Sequence, residues 1–179
     1  MPAAQYIPNV EFAPAEAGAR VRLATLLSAV VTCLATAAAI ILMLRDNNPP
    51  PRPVFFAIGA VPAVFALFWY AARIRRYCLV GDELRIELPL RTVRFPLSGL
   101  VSVTPDREAL RGAWKMSGND GFGVISGRFR SKRLGAFRAY LTDAEHAVVL
   151  RWPDRRVVIS PQQHSYFIET VCKRAALSR

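Results

Sequence analysis

Residues 23–44 read LATLLSAVVTCLATAAAIILML, twenty-two positions without a charge, an amide or a proline. At about 1.5 Å of rise per helical residue this run covers the ~30 Å hydrocarbon core of a bilayer with a little to spare. It reads as a membrane span. Residues 54–72, VFFAIGAVPAVFALFWYAA, repeat the signal, and the link between them, RDNNPPPRP at 45–53, carries four prolines that forbid helix continuation. The spacing predicts two antiparallel spans joined by a tight turn. A cleaved leader fits less well, because an acidic, proline-containing arm precedes the first run, which exceeds the usual length of a leader's apolar core and lacks a small-x-small site behind it.

Working outward gives an irregular N-terminal arm over residues 1–20, a first transmembrane helix over 21–45, a short external loop over 46–53, a second helix over 54–73 and a cytoplasmic domain over 76–179. In the arm, Tyr6, Ile7, Val10 and Phe12 are too few for a core; they rest either on the membrane surface or on the C-terminal domain. Gly59 and Pro62 predict a kink in the second span. Ala24, Ser28, Thr32 and Thr36 recur at four-residue intervals in the first span, Gly59 and Ala63 in the second, and such small-residue faces let membrane helices approach closely.

Orientation follows from the flanks. Arg73, Arg75 and Arg76 follow the second span, Arg20 and Arg22 precede the first, and the link holds only Arg45 and Arg52. The positive-inside rule then puts both termini in the cytoplasm, with Trp69 and Tyr70 as the interfacial anchor. Net charge is +11, and the segment from Arg73 onward holds 20 Lys+Arg against 10 Asp+Glu, so nearly all the excess lies on the domain. Cys33, Cys78 and Cys172 show no C-x-x-C spacing and read as buried free thiols in a reducing compartment.

Past Tyr77 the apolar period becomes two. Tyr77–Val80, Leu84–Leu88, Val93–Leu97, Val101–Val103, Phe137–Leu141, Val148–Trp152 and Val157–Ile159 read as seven antiparallel strands, with turns at Gly81-Asp82-Glu83 and Pro153-Asp154-Arg155. Residues 106–135 are irregular and glycine-rich. Ser160-Pro161-Gln162-Gln163 reads as a capping box opening a helix from Pro161 to about Ala176, whose apolar stripe is His164, Phe167, Ile168, Val171, Cys172 and Ala175. The sum is a mainly-β, α+β domain: a seven-stranded, partly open antiparallel barrel capped by a C-terminal helix.

The ordered glycines Gly118, Gly121, Gly123, Gly127 and Gly135, the strands around Phe137 and Val148, and the helix entry at Ile159-Ser160-Pro161 resemble the bacterial pleckstrin-homology-like (PH-like) domain family over roughly residues 77–171. Many members of that family are small membrane proteins in which two spans precede the domain. The resemblance implies the barrel-and-helix fold and a binding or scaffolding role, with these glycines, Ser160 and Pro161 as structural motif positions. The basic pair that eukaryotic relatives use for phosphoinositides is absent from the acidic turn Gly81-Asp82-Glu83.

Catalytic chemistry has no foothold. The cluster GNDGFGVISG at 118–127 has Ser126 where G-x-G-x-x-G needs glycine, and it does not match G-x-S-x-G. His146 and His164 lie far apart in sequence without an acid cluster, and neither span holds an ionisable residue, the usual mark of ion transport. No catalytic residue, metal site or cofactor is expected. The basic residues Arg128, Arg130, Lys132, Arg133 and Arg138, with Arg73, Arg75 and Arg76 at the membrane flank, are the candidate contacts. They are either ordinary solvated surface or a contact to anionic lipid, each basic residue near such a leaflet contributing about 1 kcal/mol. The partners expected are membrane lipids, a protein partner or a second copy of the chain, and no nucleic acid. The function expected is a membrane-anchored, non-enzymatic binding or scaffolding module; the alternative is a membrane-assembly or envelope regulatory subunit acting through its spans.

Overall fold

The computed structural model describes residues 9–46, 50–120 and 123–177. Tyr6 and Ile7 of the arm, Asn47 to Pro49 of the link, and Gly121 lie outside the described residues. Helix α1 (Ala19–Arg45) is followed by α2 (Arg52–Gly59) and α3 (Val61–Ala72). The break at Ala60 is the kink expected from Gly59 and Pro62, since proline has no N–H for the carbonyl four residues back. Both segments are long and apolar enough to cross a membrane and their apolar side chains are exposed, so these are not the core helices of a water-soluble bundle.

The faces that meet differ in part from the small-residue pattern. Thr25, Ala29, Thr32 and Cys33 of α1 lie opposite Pro62, Phe65, Ala66 and Trp69 of α3, around a gap of about 300 Å³. Thr32 and Thr36 are on the packed side, but Ser28, Gly59 and Ala63 are exposed, and a Cβ on Gly59 would meet nothing within 4 Å. Bulky Phe65 and Trp69 hold the helices apart where a glycine face would bring them together.

The domain holds ten described strands, not seven, and they do not close into a barrel. β1 (Val10–Phe12), β2 (Arg76–Val80), β3 (Glu83–Glu87) and β4 (Thr92–Pro96) form an antiparallel sheet in the order β1-β2-β3-β4. β5 (Ser102–Pro105), β6 (Trp114–Asp120), β7 (Ile125–Ser131), β8 (Gly135–Leu141), β9 (Val148–Arg151) and β10 (Arg156–Ile159) form a second sheet in the order β5-β9-β10-β8-β7-β6. It is not wholly antiparallel, because β10 inserts between β9 and β8 and runs parallel to β8. The arm supplies β1: Phe12 is 4% exposed and packs edge-on to Phe167 at 5.1 Å, so the arm rests on the domain.

The second sheet is apolar on both faces, as the alternation along its inner strands requires. Tyr140, Val148, Leu150, Val157 and Ile159 face the first sheet and the last helix, α4 (His164–Leu177). Phe137, Ala139, Leu141, Val149 and Val158 face away and are covered by Ala109 and by Val21 in the first turn of α1. Phe167 and Val171 of α4 enter the main core, and Arg174 donates from Nη1 to the Gly81 carbonyl at 3.1 Å. Among the three cysteines only Cys78 is buried; Cys33 and Cys172 are exposed.

The capping box does not form. Ser160 Oγ accepts the Thr142 N–H at 2.9 Å, the Ser160 N–H donates to the Tyr77 hydroxyl at 3.3 Å, and Pro161 bridges to Pro14. The arm takes the Gln162 N–H through the Ala13 carbonyl, so the helix starts later, with Phe167 N–H bonding to the Gln163 carbonyl. Ser160 is spent on tertiary bonds and has nothing left for a cap.

Candidate ligand-binding site

An open two-sheet fold has two seams. At one, edge strands β1 and β5 are bridged by α4, whose Tyr166 packs tilted and Phe167 edge-on against Phe12 of β1 and whose Ala175 lies beside Val103 of β5. At the other, edge strands β4 and β6 share no ladder, and a groove of about 490 Å³ opens between the sheets. Its walls carry Arg94 from β4, Arg128 from β7, Arg138 from β8, and Arg155 and Arg156 from the start of β10, over a floor that includes Phe95 and Val157.

The register explains the cluster. Arg128 lies directly opposite Arg138 in the β7–β8 ladder, and Arg138 opposite Val157 in the β8–β10 ladder, so two neighbouring strands deliver paired cations to the end of the sheet where Arg155 and Arg156 lead into β10. Like charges directly opposite are unfavourable, and with Arg94 on the facing edge they also oppose closure of the seam. Asp154, at the rim, is the one carboxylate lining the groove; it stands 3.7 Å from Arg155 Nε. Among the described residues Arg94, Arg128, Arg138 and Arg156 have no ion-pair partner, and the Nε atoms of Arg155 and Arg156 are buried without a hydrogen bond. Buried donors without hydrogen bonds are costly, and guanidinium forks have the geometry to take carboxylate or phosphate oxygens.

The remaining basic residues are dispersed. Arg130 is exposed on β7, and Lys132 and Arg133 sit in the β7–β8 turn, where Arg133 pairs with Asp106 at 2.6 Å. Arg73 lies over the Trp69 ring at 4.6 Å, and Arg75 Nη2 reaches the Tyr70 hydroxyl at 3.4 Å. Arg76 is engaged twice, with Glu87 at 2.6 Å and Glu11 at 2.8 Å, which raises its own pKa and lowers that of Glu87. Arg94, Arg155 and Arg156 escaped the sequence reading because their convergence needs the β10 insertion; the only linear sign is the Arg-Arg pair after the Pro153-Asp154 turn.

Four of the motif glycines, Gly118, Gly123, Gly127 and Gly135, take positive φ. Gly118 and Gly127 face each other across β6–β7 with φ of 118° and 136°, and a Cβ on Gly127 would lie 2.1 Å from the Ser117 carbonyl oxygen. Gly123 (φ 73°) donates its N–H to Thr25 Oγ at 2.9 Å and abuts Trp69, docking the β6–β7 connection onto both spans. Gly135 (φ 67°) turns β7 into β8. His146 and His164 do approach, with ring centroids 6.1 Å apart and His146 Nδ1 2.7 Å from Asp143 Oδ2, but no group of three metal-ligating side chains occurs among the described residues.

No curated protein and no solved structure matches the chain. Residues 75–175, more than half its length, match the family described as Bacterial PH domain. With two apolar helices ahead of two packed sheets and a C-terminal helix, the chain belongs to the bacterial PH domain family.

Proposed function

We propose that this chain is a membrane-anchored, non-enzymatic binding module that presents the arginine groove at the cytoplasmic surface of a bacterial inner membrane. The observation that carries the reading is the convergence of Arg94, Arg128, Arg138, Arg155 and Arg156 on one open seam with a single carboxylate among them. Membership of the family supports a binding or scaffolding role. The pairing of β1, ahead of α1, with β2, after α3, supports a hairpin whose two ends return to one side, and the arginines flanking both ends make that side the cytoplasm.

Two measurements test it. The detergent-solubilised full chain should bind inorganic pyrophosphate in a salt-sensitive manner, and Arg128→Ala with Arg138→Ala should abolish the binding; no binding by the wild type overturns the anion reading. A membrane-impermeant maleimide should label exposed Cys172 only after the inner membrane is permeabilised, and labelling in intact spheroplasts overturns the orientation. The gap beside Cys33 favours a second reading, assembly through the spans, because it leaves room for a side chain from another helix. Oxidative Cys33–Cys33 crosslinking of the intact protein in membranes is its test.

A further inference from the structure

A second cavity, of about 510 Å³, lies beside the arginine groove where the seam meets the spans. Phe68 and Ala71 of α3 form one wall, Leu90 and Arg91 of the β3–β4 turn another, and the Gly118–Gly127 backbone the third. The two cavities succeed one another along the same strands. On the β4 side Leu90 and Arg91 line the cavity at the spans, Arg94 and Phe95 the arginine groove; on β6 Gly118 gives way to Met116; on β7 Gly127 gives way to Arg128. Three residues of strand separate Arg91 from Arg94, about 10 Å. The open seam therefore carries an apolar compartment at the membrane and, next along the same strands, a cationic one.

Its level in the bilayer is set by α3. Trp69, Tyr70 and Arg73 close that helix and mark the lipid–water interface, and Phe68 and Ala71 lie among them. Leu90 is 74% exposed at the same level, a large apolar side chain that water would solvate poorly but acyl chains would not. Arg91 at the junction is exposed and, among the described residues, has no ion-pair partner. An occupant that fits is apolar beside α3 and anionic some 10 Å deeper. A soluble acidic peptide satisfies only the deeper half, and a zwitterionic lipid turns its own cation toward the arginines.

Building on the anion-binding reading above, we propose that the open seam between β4 and β6 holds an anionic phospholipid of the bilayer, with its acyl chains beside Phe68 and Leu90 and its headgroup among Arg94, Arg128 and Arg138. The lipid enters sideways from the leaflet, past Arg91, and covers the edge strands that the protein leaves unpaired. This places the site on the seam between the sheets, away from the acidic β2–β3 turn at Gly81 and Asp82.

Native mass spectrometry of the full chain in detergent, titrated with phosphatidylglycerol, with phosphatidylcholine of the same acyl chains, and separately with inorganic pyrophosphate, tests the proposal. Phosphatidylglycerol should bind at least about tenfold more tightly than phosphatidylcholine, the discrimination of one charge-assisted contact. Arg128→Ala with Arg138→Ala should weaken phosphatidylglycerol about a hundredfold and pyrophosphate as well. Leu90→Asp at the exposed mouth, and Ala71→Trp in the apolar wall, should each weaken phosphatidylglycerol about tenfold while leaving pyrophosphate unchanged; Arg107→Ala, an exposed arginine outside the cleft, should leave both unchanged. Equal binding of the two lipids, or phosphatidylglycerol binding indifferent to both Leu90→Asp and Ala71→Trp, overturns the lipid site. Pyrophosphate binding without phosphatidylglycerol binding leaves the anion groove standing and removes the lipid; binding of neither removes both.

Discussion

Gly127→Ala is the sharpest test of how the domain is built. Gly127 pairs directly with Gly118 at φ of 136° and 118°, and an alanine Cβ there would lie 2.1 Å from the Ser117 oxygen and 2.7 Å from Gly118 Cα. Both obstacles are backbone, so no rotamer relieves them, and ordinary contact requires the strands to part by more than an ångström. The left-handed φ adds about 1–2 kcal/mol for a residue with a Cβ, and parting the ladder forfeits one or two hydrogen bonds at about 1 kcal/mol each. The sum is about 3 kcal/mol. For a domain of this size that is a fall in Tm of roughly 10 °C, measurable by fluorescence-monitored unfolding of the full chain in detergent. Gly99→Ala is the control: Gly99 also has a positive φ, 71°, but a Cβ would meet nothing within 4 Å, so about 1 kcal/mol and a few degrees are expected. Equal shifts for the two variants would refute the close-approach argument and reopen a ligand-contacting role for the glycine cluster.

The Tyr77 hydroxyl donates to the Tyr140 carbonyl at 2.8 Å and accepts the Ser160 N–H, so Tyr77→Phe strands two buried backbone groups and should cost about 2–4 kcal/mol; a Tm within 2 °C of wild type would refute it. Burial pushes the Cys78 thiol from 9.0 up to about 11 and the Tyr77 phenol from 10.0 up to about 12. Both folded values lie above the unfolded ones, so the stability they contribute is whole below about pH 9 and is lost as pH climbs through 11 and 12, at about 1.4 kcal/mol per pH unit for each group between its two values; a Tm that stays flat from pH 8 to 12 contradicts this. Phe12→Ala empties a fully packed aromatic site and should destabilise the domain by about 3–5 kcal/mol, seen in the same melt; a neutral outcome would detach the arm from the core.

Seven strands and two apolar helices long enough to cross a membrane were legible because each keeps its pattern. Leu84 and Ile86 alternate with Arg85 and Glu87 on a half-buried strand, and both N-terminal segments are long apolar runs. β6 and β7 were not legible, for two local reasons. The register shifts between Lys115 and Ser117, which breaks the alternation, and the Gly118–Gly127 pair replaces side chains that would have shown it. β1 was missed because three residues carry too little pattern. The helix start was misread because Ser160 and Gln163 have cap-compatible chemistry, while Thr142, Tyr77 and the arm, all distant in sequence, claim the same groups. Of the groove, Arg128 and Arg138 stand in the basic run that the sequence displays; Arg94, Arg155 and Arg156 join them only through the strand order.

The arm changes what the folding unit is. The family match begins at residue 75, yet residues 10–21 supply β1, the buried Phe12, Ala15 and Val21, and backbone bonds from Ala15 N–H to the Ser160 carbonyl and from Gly18 N–H to the Thr142 carbonyl. Both ends of the hairpin are thus built into the domain: α1 emerges from the second core at Val21, and α3 runs straight into β2. Gly123, bonded to Thr25 and pressed on Trp69, adds a third point of attachment. Three points fix an orientation where one linker would leave a swivel, so the β4–β6 seam is held against the same side of α3. A domain on a loose tether would meet lipid only by chance of rotation; the lipid site proposed above instead lies on an edge whose orientation to α3 is fixed.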